Sequence, residues 1–321
     1  MGENFSLLIY SITRDDIQEG VVTCQSCNLW FRIENGILDL LPLHLRRNDR
    51  YEAFSKKHHL PYQSGIAEPA GIMDQKIKQI DFFKKDHDQY EKCIVNMNFF
   101  KALNLLTINR WVENNAAFFN KPVLEVGCGT GRQSVVLCQN EIASVGIDLS
   151  EEMLLVAKRK IDANYYSRFI DFIIADAENP PLKDNIFSAC VMISILHHLP
   201  DPESTIYQCS KKIVNNGLFY IIEPNKSPLR WFFDVLMRIW KLWDEEASED
   251  PLIQKKLLEK WLDNAKIQYT VQYSTYLPPH VFEFLKDETC LLLLKITDSF
   301  FNRRSYLKKL GGIIIAQGRK N

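Results

Sequence analysis

The chain has 321 residues, 46% hydrophobic and 25% charged, with a formal net charge of −1. That supports a large core and excludes the global basic field with which nucleic-acid binders neutralise phosphate. Met1 to Asp15 lacks the pattern of an export signal, no apolar run is long enough to span a bilayer, and the eight scattered cysteines read as reduced thiols, so the expected compartment is cytoplasmic.

Three regions follow in chain order. Residues 1–45 are expected to form a small separate β module, because Val21 to Pro42 alternates apolar and polar residues around Cys24, Cys27 and an Asn35-Gly36 turn. Residues 46–120 read as a linker with His58, His59, Gly65, Pro69 and Gly71, then two helices carrying Ile77, Ile80, Phe83, Phe99, Ala102, Leu103, Leu106 and Trp111 at helical spacing.

From 121 to 321 short apolar strands alternate with helices. The strands are read at Val123–Val126, Ser144–Ile147, Phe169–Ala175, Ser188–Ile193 and Leu218–Ile222, with helical residues at Val135–Gln139, Glu151–Ile161 and Pro202–Val214. This order implies an α/β fold with a doubly wound parallel sheet. Cys138, Cys190, Cys209 and Cys290, like Cys93 before them, are expected as small core residues.

An insertion at about 226–265 interrupts the pattern. As a helix from Pro228 to Trp243, it gathers Arg230, Asp234, Arg238 and Lys241, with Glu245 beyond, into one narrow polar stripe. The wide apolar face needs a cover, whether the fold, a second copy, an apolar acceptor or a membrane surface. Ser299 to Leu310 mixes Phe300, Phe301, Tyr306 and Leu307 with Arg303, Arg304, Lys308 and Lys309, which suits a solvated helix face, an anionic bilayer or a phosphate-bearing ligand.

The chemistry sits in V-L-E-V-G-C-G-T-G-R, Val123 to Arg132. Gly127, Gly129 and Gly131 lie at a strand-to-helix turn, where a missing Cβ lets a ligand approach the backbone. A dinucleotide fingerprint wants its third glycine one residue later, where this chain has Arg132. S-adenosylmethionine has no pyrophosphate and does not need that cradle. Asp148 closes the next strand, where a carboxylate accepts ribose hydroxyls, and this alone fits a nicotinamide cofactor equally well. Asp176 closes the strand after it and is placed to accept from an adenine amino group. The cofactor site is therefore expected around Glu125 to Gly131, Asp148 and Asp176.

At these residues the chain resembles the class I S-adenosylmethionine-dependent methyltransferases, in the type 11 subgroup that includes ubiquinone and menaquinone biosynthetic enzymes. The resemblance covers about Gln75 to Lys320. It is carried by the glycine motif, G-I-D-L-S at Gly146 to Ser150, A-D-A-E at Ala175 to Glu178, I-L-H-H-L-P-D-P at Ile195 to Pro202, and I-E-P-N at Ile222 to Asn225. It implies a Rossmann-like seven-stranded sheet with S-adenosyl-L-methionine as cofactor. Gly127 and Gly129 would lie under the methionine part, Asp148 on the ribose, Leu149 over one adenine face, and Asp176 with Ala177 at the adenine. Where a Pro-Gly-Gly turn usually precedes the fifth strand, this chain has V-N-N-G (Val214 to Gly217); because Asn can adopt left-handed turn conformations, a substituted turn without loss of cofactor binding is expected.

Residues 1–45 resemble the second half of the small zinc-ribbon activators of tRNA, rRNA and protein methyltransferases. The first C-x-x-C is absent, and His44 is the nearest third ligand, so a metal-free ribbon is expected.

Methyl transfer is an in-line displacement that needs alignment in a dry site and no metal. A hydroxyl acceptor benefits from a base; His198, with His197 as alternative, follows the fourth strand at the ligand-binding edge and is the candidate. The function expected is methyl transfer to a small apolar or lipid-like acceptor, with peripheral membrane contact and a protein partner or homodimer through the N-terminal module or the 228–243 helix as further expectations. RNA or protein methylation, and a non-catalytic adaptor, are the alternatives.

Overall fold

The strands expected from the alternating pattern come together in one sheet, seen in a computed structural model that describes residues 5–13, 16–63, 76, 80, 97–242 and 252–321. The helical spacing read at Ile77 and Phe83, and Cys93, lie outside these residues. The chain begins with an antiparallel meander of β1 (Phe5–Thr13), β2 (Asp16–Cys24), β3 (Trp30–Glu34) and β4 (Ile37–Asp39). Asn35 and Gly36, both with positive φ, make the tight turn between β3 and β4. Helix α1 (Asn48–His58) follows, then α2 (Asn98–Asn104), which passes through a π turn (Leu105–Asn109) into α3 (Arg110–Asn115).

The doubly wound part then reads β5 (Val123–Val126), α4 (Arg132–Gln139), β6 (Ser144–Asp148), α5 (Glu151–Ala163), β7 (Ile170–Ile174), β8 (Phe187–Ile193), α6 (Pro202–Lys212) and β9 (Ile213–Pro224). Helix α7 (Pro228–Ile239) occupies the insertion. The chain ends with α8 (Lys255–Asn264), β10 (Ile267–Ser274), α9 (Asp287–Asn302) and β11 (Ile313–Lys320). The helix read to Val214 stops at Lys212 and the one read to Trp243 stops at Ile239. Asn216 takes the left-handed conformation (φ 62°) in the substituted turn, and β9 shifts register against β8 beside it.

The strand order is β1-β2-β3-β4-β7-β6-β5-β8-β9-β11-β10. Strands β5 to β9 are parallel, so their carboxyl ends share one edge; β11 runs antiparallel between β9 and β10. Among the described residues the sheet has eleven strands and not the expected seven, the run β7-β6-β5-β8-β9-β11-β10 being continued by β4 to β1. The N-terminal strands, expected as a small module of their own, join this sheet through β4. β4 pairs in parallel with β7, Ile37 against Phe172 and Asp39 against Ile174, covering an edge that would otherwise present unpaired amides.

Side chains complete that junction. Ile37, Leu41 and Leu45 are buried with Leu154, Ile161, Phe172 and Ile174. Arg32, buried in β3, reaches Asp39 at 3.2 Å and Glu151 of α5 at 2.6 Å, and also pairs with Glu34. In the doubly wound part, alternation along each strand fills two layers. Leu124, Val126, Cys190, Met192, Phe219 and Ile221 face one side; Val123, Val191, Leu218 and Tyr220 face Trp111, Val136 and Leu137 on the other.

Candidate cofactor and active site

The site is assembled where β5 to β9 end. After Val126 the backbone turns left-handed at Gly127 (φ 66°), Gly129 (φ 51°) and Gly131 (φ 76°). The three serve different ends. A Cβ on Gly127 would lie 2.7 Å from the Ile195 side chain, and one on Gly131 would lie 2.9 Å from Ala157 Cβ. On Gly129 it would meet only Met153 Cε, at 3.4 Å, so the middle of the turn is the open place for a ligand.

Glu125 projects from β5 beneath this turn and is 2% exposed. Its Oε2 accepts from Ser134 Oγ at 2.6 Å, whereas Oε1 is buried without a partner. Burial pushes its carboxyl up to about 8, against the opposing pull of the Ser134 hydrogen bond and of Arg132. An acceptor atom withdrawn from water and left empty fits a cofactor that brings an ammonium group.

Asp148, at the end of β6, accepts from Gly129 N–H at 2.8 Å through Oδ2 and from Ser150 N–H at 2.9 Å through Oδ1. It ties the second strand end to the glycine turn, and each oxygen keeps a lone pair for a ribose hydroxyl. Burial raises its carboxyl pKa; the backbone donors and the nearby His198 work in the other direction.

Asp176 follows β7, and its Oδ1 accepts from Glu178 N–H at 3.1 Å. Its Oδ2 accepts from Lys76 Nζ at 2.6 Å, and Lys76 also pairs with Glu178. This lysine escaped the sequence reading, for only the fold brings it beside Asp176. Leu149 is half-buried against the cluster that receives the N-terminal strands, and Ala177 is buried in the main core.

The two histidines are not equivalent. Glu223, fully buried in β9, accepts from the N–H groups of Ile195 (2.9 Å) and Leu196 (2.7 Å) through Oε1, and its Oε2 lies 2.6 Å from His197 Nδ1. His197 is thus buried and fixed. His198 is half-buried, its ring 4.0 Å from that of His197 and close enough to Asp148 to act on its charge. Ser194, at the start of this loop, is held left-handed at φ 55°, an uncommon conformation for a non-glycine residue. Glu223 was quoted in the I-E-P-N motif without a role, because nothing in sequence separation joins it to a loop on the preceding strand.

Beyond the strand ends, α7 buries Phe233 and Met237 and leaves Trp231 69% and Ile239 79% exposed. Trp240 packs beside His280 and Phe284, and its carbonyl lies 2.7 Å from His280 Nε2. Leu292, Ile296 and Phe300 form an exposed stripe on α9. Cys24 Sγ lies 3.0 Å from Ser26 Oγ, and hydrogen bonds from Ser26 and Cys27 bring its thiol down to about 7. Among the described residues there is no group of three or more metal-ligating side chains, and no helix long and apolar enough to cross a membrane.

Residues 124–221 match the family model of a methyltransferase domain. The chain is 29% identical over 136 residues to a ubiquinone biosynthesis O-methyltransferase of Pseudomonas paraeruginosa, covering 42% of this chain and 57% of that protein. A ubiquinone biosynthesis O-methyltransferase of Vibrio atlanticus is 27% identical over 172 residues, 52% of this chain and 71% of that one. The magnesium protoporphyrin IX methyltransferase of Synechocystis PCC 6803, solved with bound S-adenosylhomocysteine, superposes with a TM-score of 0.55 at 14% identity over 77% of this chain and 100% of that one. Residues 124–221 are thus similar to a methyltransferase domain, and the fold is similar to that of the solved magnesium protoporphyrin IX methyltransferase.

Proposed function

We propose that the chain transfers a methyl group from S-adenosylmethionine to a small apolar or lipid-like acceptor. The observation that carries this is the convergence, at one sheet edge, of the open turn at Gly129, the buried and half-empty Glu125 carboxylate, and Asp148 and Asp176 at the next two strand ends. Glu125 would take the ammonium group, Asp148 the ribose hydroxyls and Asp176 the adenine amino group, with Leu149 and Ala177 along the ring. The bound cofactor supplies an electrophilic methyl group on a sulfonium.

The chain's own residues do the remaining work. Ile195, tight against Gly127, and the His197–His198 loop roof the turn and keep water from it. Glu223 fixes that loop through two backbone amides and His197, which leaves His198 beside Asp148 to receive the acceptor. For a hydroxyl acceptor, His198 takes the departing proton on a ring nitrogen; for an acceptor that loses none, it only positions.

The acceptor class rests on two supports. The relatives named above are O-methyltransferases of ubiquinone biosynthesis, and α7 leaves the sheet at the same edge with Trp231, Phe232, Ile239 and Trp240 exposed. That apolar face would admit such a molecule and exclude water, and with the basic segment Arg303 to Lys309 it would serve peripheral contact with an anionic membrane. Homodimerisation or a protein partner through β1 to β4 or α7 belongs to the same reading.

Calorimetry with S-adenosylhomocysteine tests the cofactor, with nicotinamide dinucleotide as the control for an oxidoreductase. Binding weakened by Asp148→Ala is expected; a folded protein that binds only the dinucleotide would overturn the proposal. Radiolabelled cofactor with a cell extract should place label in the organic-soluble fraction, and label confined to RNA or protein would overturn the acceptor class.

A further inference from the structure

Burying a polar atom without a partner is costly, and such atoms in a native fold call for an explanation. Among the described residues seven side-chain atoms are in this position. Three lie on the strand end and glycine turn of the cofactor site, and two, on Arg46 and Glu152, belong to the junction of the N-terminal region with α5. The remaining two, Thr275 Oγ1 and His280 Nδ1, both lie on the segment that leaves β10.

β10 runs antiparallel to β11, and β11 antiparallel to β9, so this segment leaves the sheet at the same edge as the cofactor turn. Helix α7 touches it twice. A Cβ on Gly312 would lie 2.8 Å from the Phe233 ring of α7, and the Gly312 N–H donates to the Thr275 carbonyl at 2.7 Å. Trp240, just past α7, sets its ring 5.4 Å from that of His280. α2 joins the same segment to the cofactor site. The Phe99 ring lies 5.1 Å from that of Phe282, and the next residue, Phe100, has its ring 5.3 Å from the guanidinium carbon of Arg132, directly after the glycine turn.

The His280 ring is polarised by its one partner. Its Nε2 lies 2.7 Å from the Trp240 carbonyl, which can only accept, so Nε2 carries the hydrogen and Nδ1 of the neutral ring is a bare acceptor. The side chain is 5% exposed, and the rings beside it, Trp240 and then Phe284, offer no donor to Nδ1. We propose that His280 Nδ1 accepts a hydrogen bond from a hydroxyl or N–H group of the methyl acceptor, which is therefore an apolar molecule bearing such a donor and not a bare hydrocarbon. The ligand enters past the exposed rings of Trp240 and Phe284, and the Thr275 hydroxyl lies on the same segment as a second polar contact. His280 is then a specificity residue that moves no proton. The inference rests on the acceptor reading above and narrows it. Its consequence is discrimination, because a ligand of similar shape without the donor leaves Nδ1 buried and empty.

The test is calorimetry on the full chain, with and without S-adenosylhomocysteine, comparing para-butylphenol with para-butylanisole, in which a methyl group replaces the donated hydrogen. Wild type should prefer the phenol by about three- to tenfold, the range for a neutral hydrogen bond. His280→Gln keeps a donor for the Trp240 carbonyl but has no acceptor on the Nδ1 side, so it should melt like wild type and lose the preference. His280→Asn brings its amide oxygen close to the Nδ1 position and should keep part of it. Melting curves check that each variant is folded. A wild type that binds both probes equally, or neither, overturns the proposal, and so does a His280→Gln that retains the preference. A His280-dependent preference in a protein that fails to bind S-adenosylhomocysteine would keep this site and overturn the cofactor reading instead.

Discussion

At the scale of single residues, burial sets the behaviour of Glu125. Its ordinary pKa is 4.5 and the folded protein pushes it up to about 8, so near pH 7 the free protein holds a proton that the unfolded chain has released. Because the folded form binds more protons, this group costs stability as pH rises through that window, and the cost is complete above about 8. An arriving ammonium favours the carboxylate. Binding of S-adenosylhomocysteine at pH 7 should therefore release close to one proton, read from the dependence of binding enthalpy on buffer ionisation enthalpy. Affinity should rise with pH up to about 8, and both effects should vanish in Glu125→Gln. The histidines divide in the same local terms. His198→Ala should keep cofactor binding and lower transfer to a hydroxyl acceptor by about 10²–10⁴. His197→Ala strips the buried Glu223 of a partner and should instead lower stability, by about 1–3 kcal/mol in urea denaturation. The reverse pattern would assign the base to His197.

At the scale of elements, what was legible in sequence was what local periodicity and turn chemistry fix. β5, β6, β7 and β8 lie within a residue or two of their apolar runs, and the strand ends carrying Gly127, Asp148 and Asp176 do meet at one edge. β10 went unread because Ile267–Ser274 alternates with Gln and Tyr, a half-exposed strand and not a buried run, and β11 because its buried run is only Ile314 to Ala316 before a polar end. The union of the N-terminal strands with the main sheet was invisible for another reason: β4 has three residues, and its partner β7 is far along the chain. The clearest trace of that union is the charge set on α5. Glu151 takes Arg32 at 2.6 Å and Arg50 at 3.1 Å, Glu152 takes Arg47 at 2.5 Å, and Lys158 pairs with Asp16. Arg32 is 2% exposed and Asp39, beside it, has its carboxyl raised by burial even with the guanidinium adjacent. Arg32→Ala should thus leave the buried Asp39 without its cation and Glu151 with Arg50 alone, and cost about 3–5 kcal/mol in urea denaturation. Arg32→Met with Asp39→Asn, which removes the charge from both members of the buried pair and leaves Glu151 to Arg50, should recover much of the loss.

At the scale of the whole molecule, the pairing of β4 with β7 bears on whether residues 1–45 are an appendage or part of the core. An appendage could be removed and leave the rest of the sheet folded; an integral part could not. Removing β4 exposes the edge of β7 and uncovers the cluster around Leu154, Phe172 and Ile174, from which Ile37, Leu41 and Leu45 would be missing. Each of those three side chains contributes about 1.5–3 kcal/mol by its burial. The loss of all three, with Arg32 taken from Glu151, compares with the whole stability of an ordinary domain, about 5–15 kcal/mol. The exposed β7 edge, with the alternating run I-D-F-I-I, would also be free to pair with other chains. A fragment of residues 47–321 is therefore expected to be insoluble or to melt without a cooperative transition. The single change Ile37→Asp in the full chain should lower the midpoint in the same direction, since it places a charge in that apolar cluster. Calorimetric melting and size-exclusion profiles of the two proteins beside the intact chain measure this. A soluble fragment with an unchanged melting temperature and intact S-adenosylhomocysteine binding would show that the first four strands are carried by the sheet without being needed to hold it.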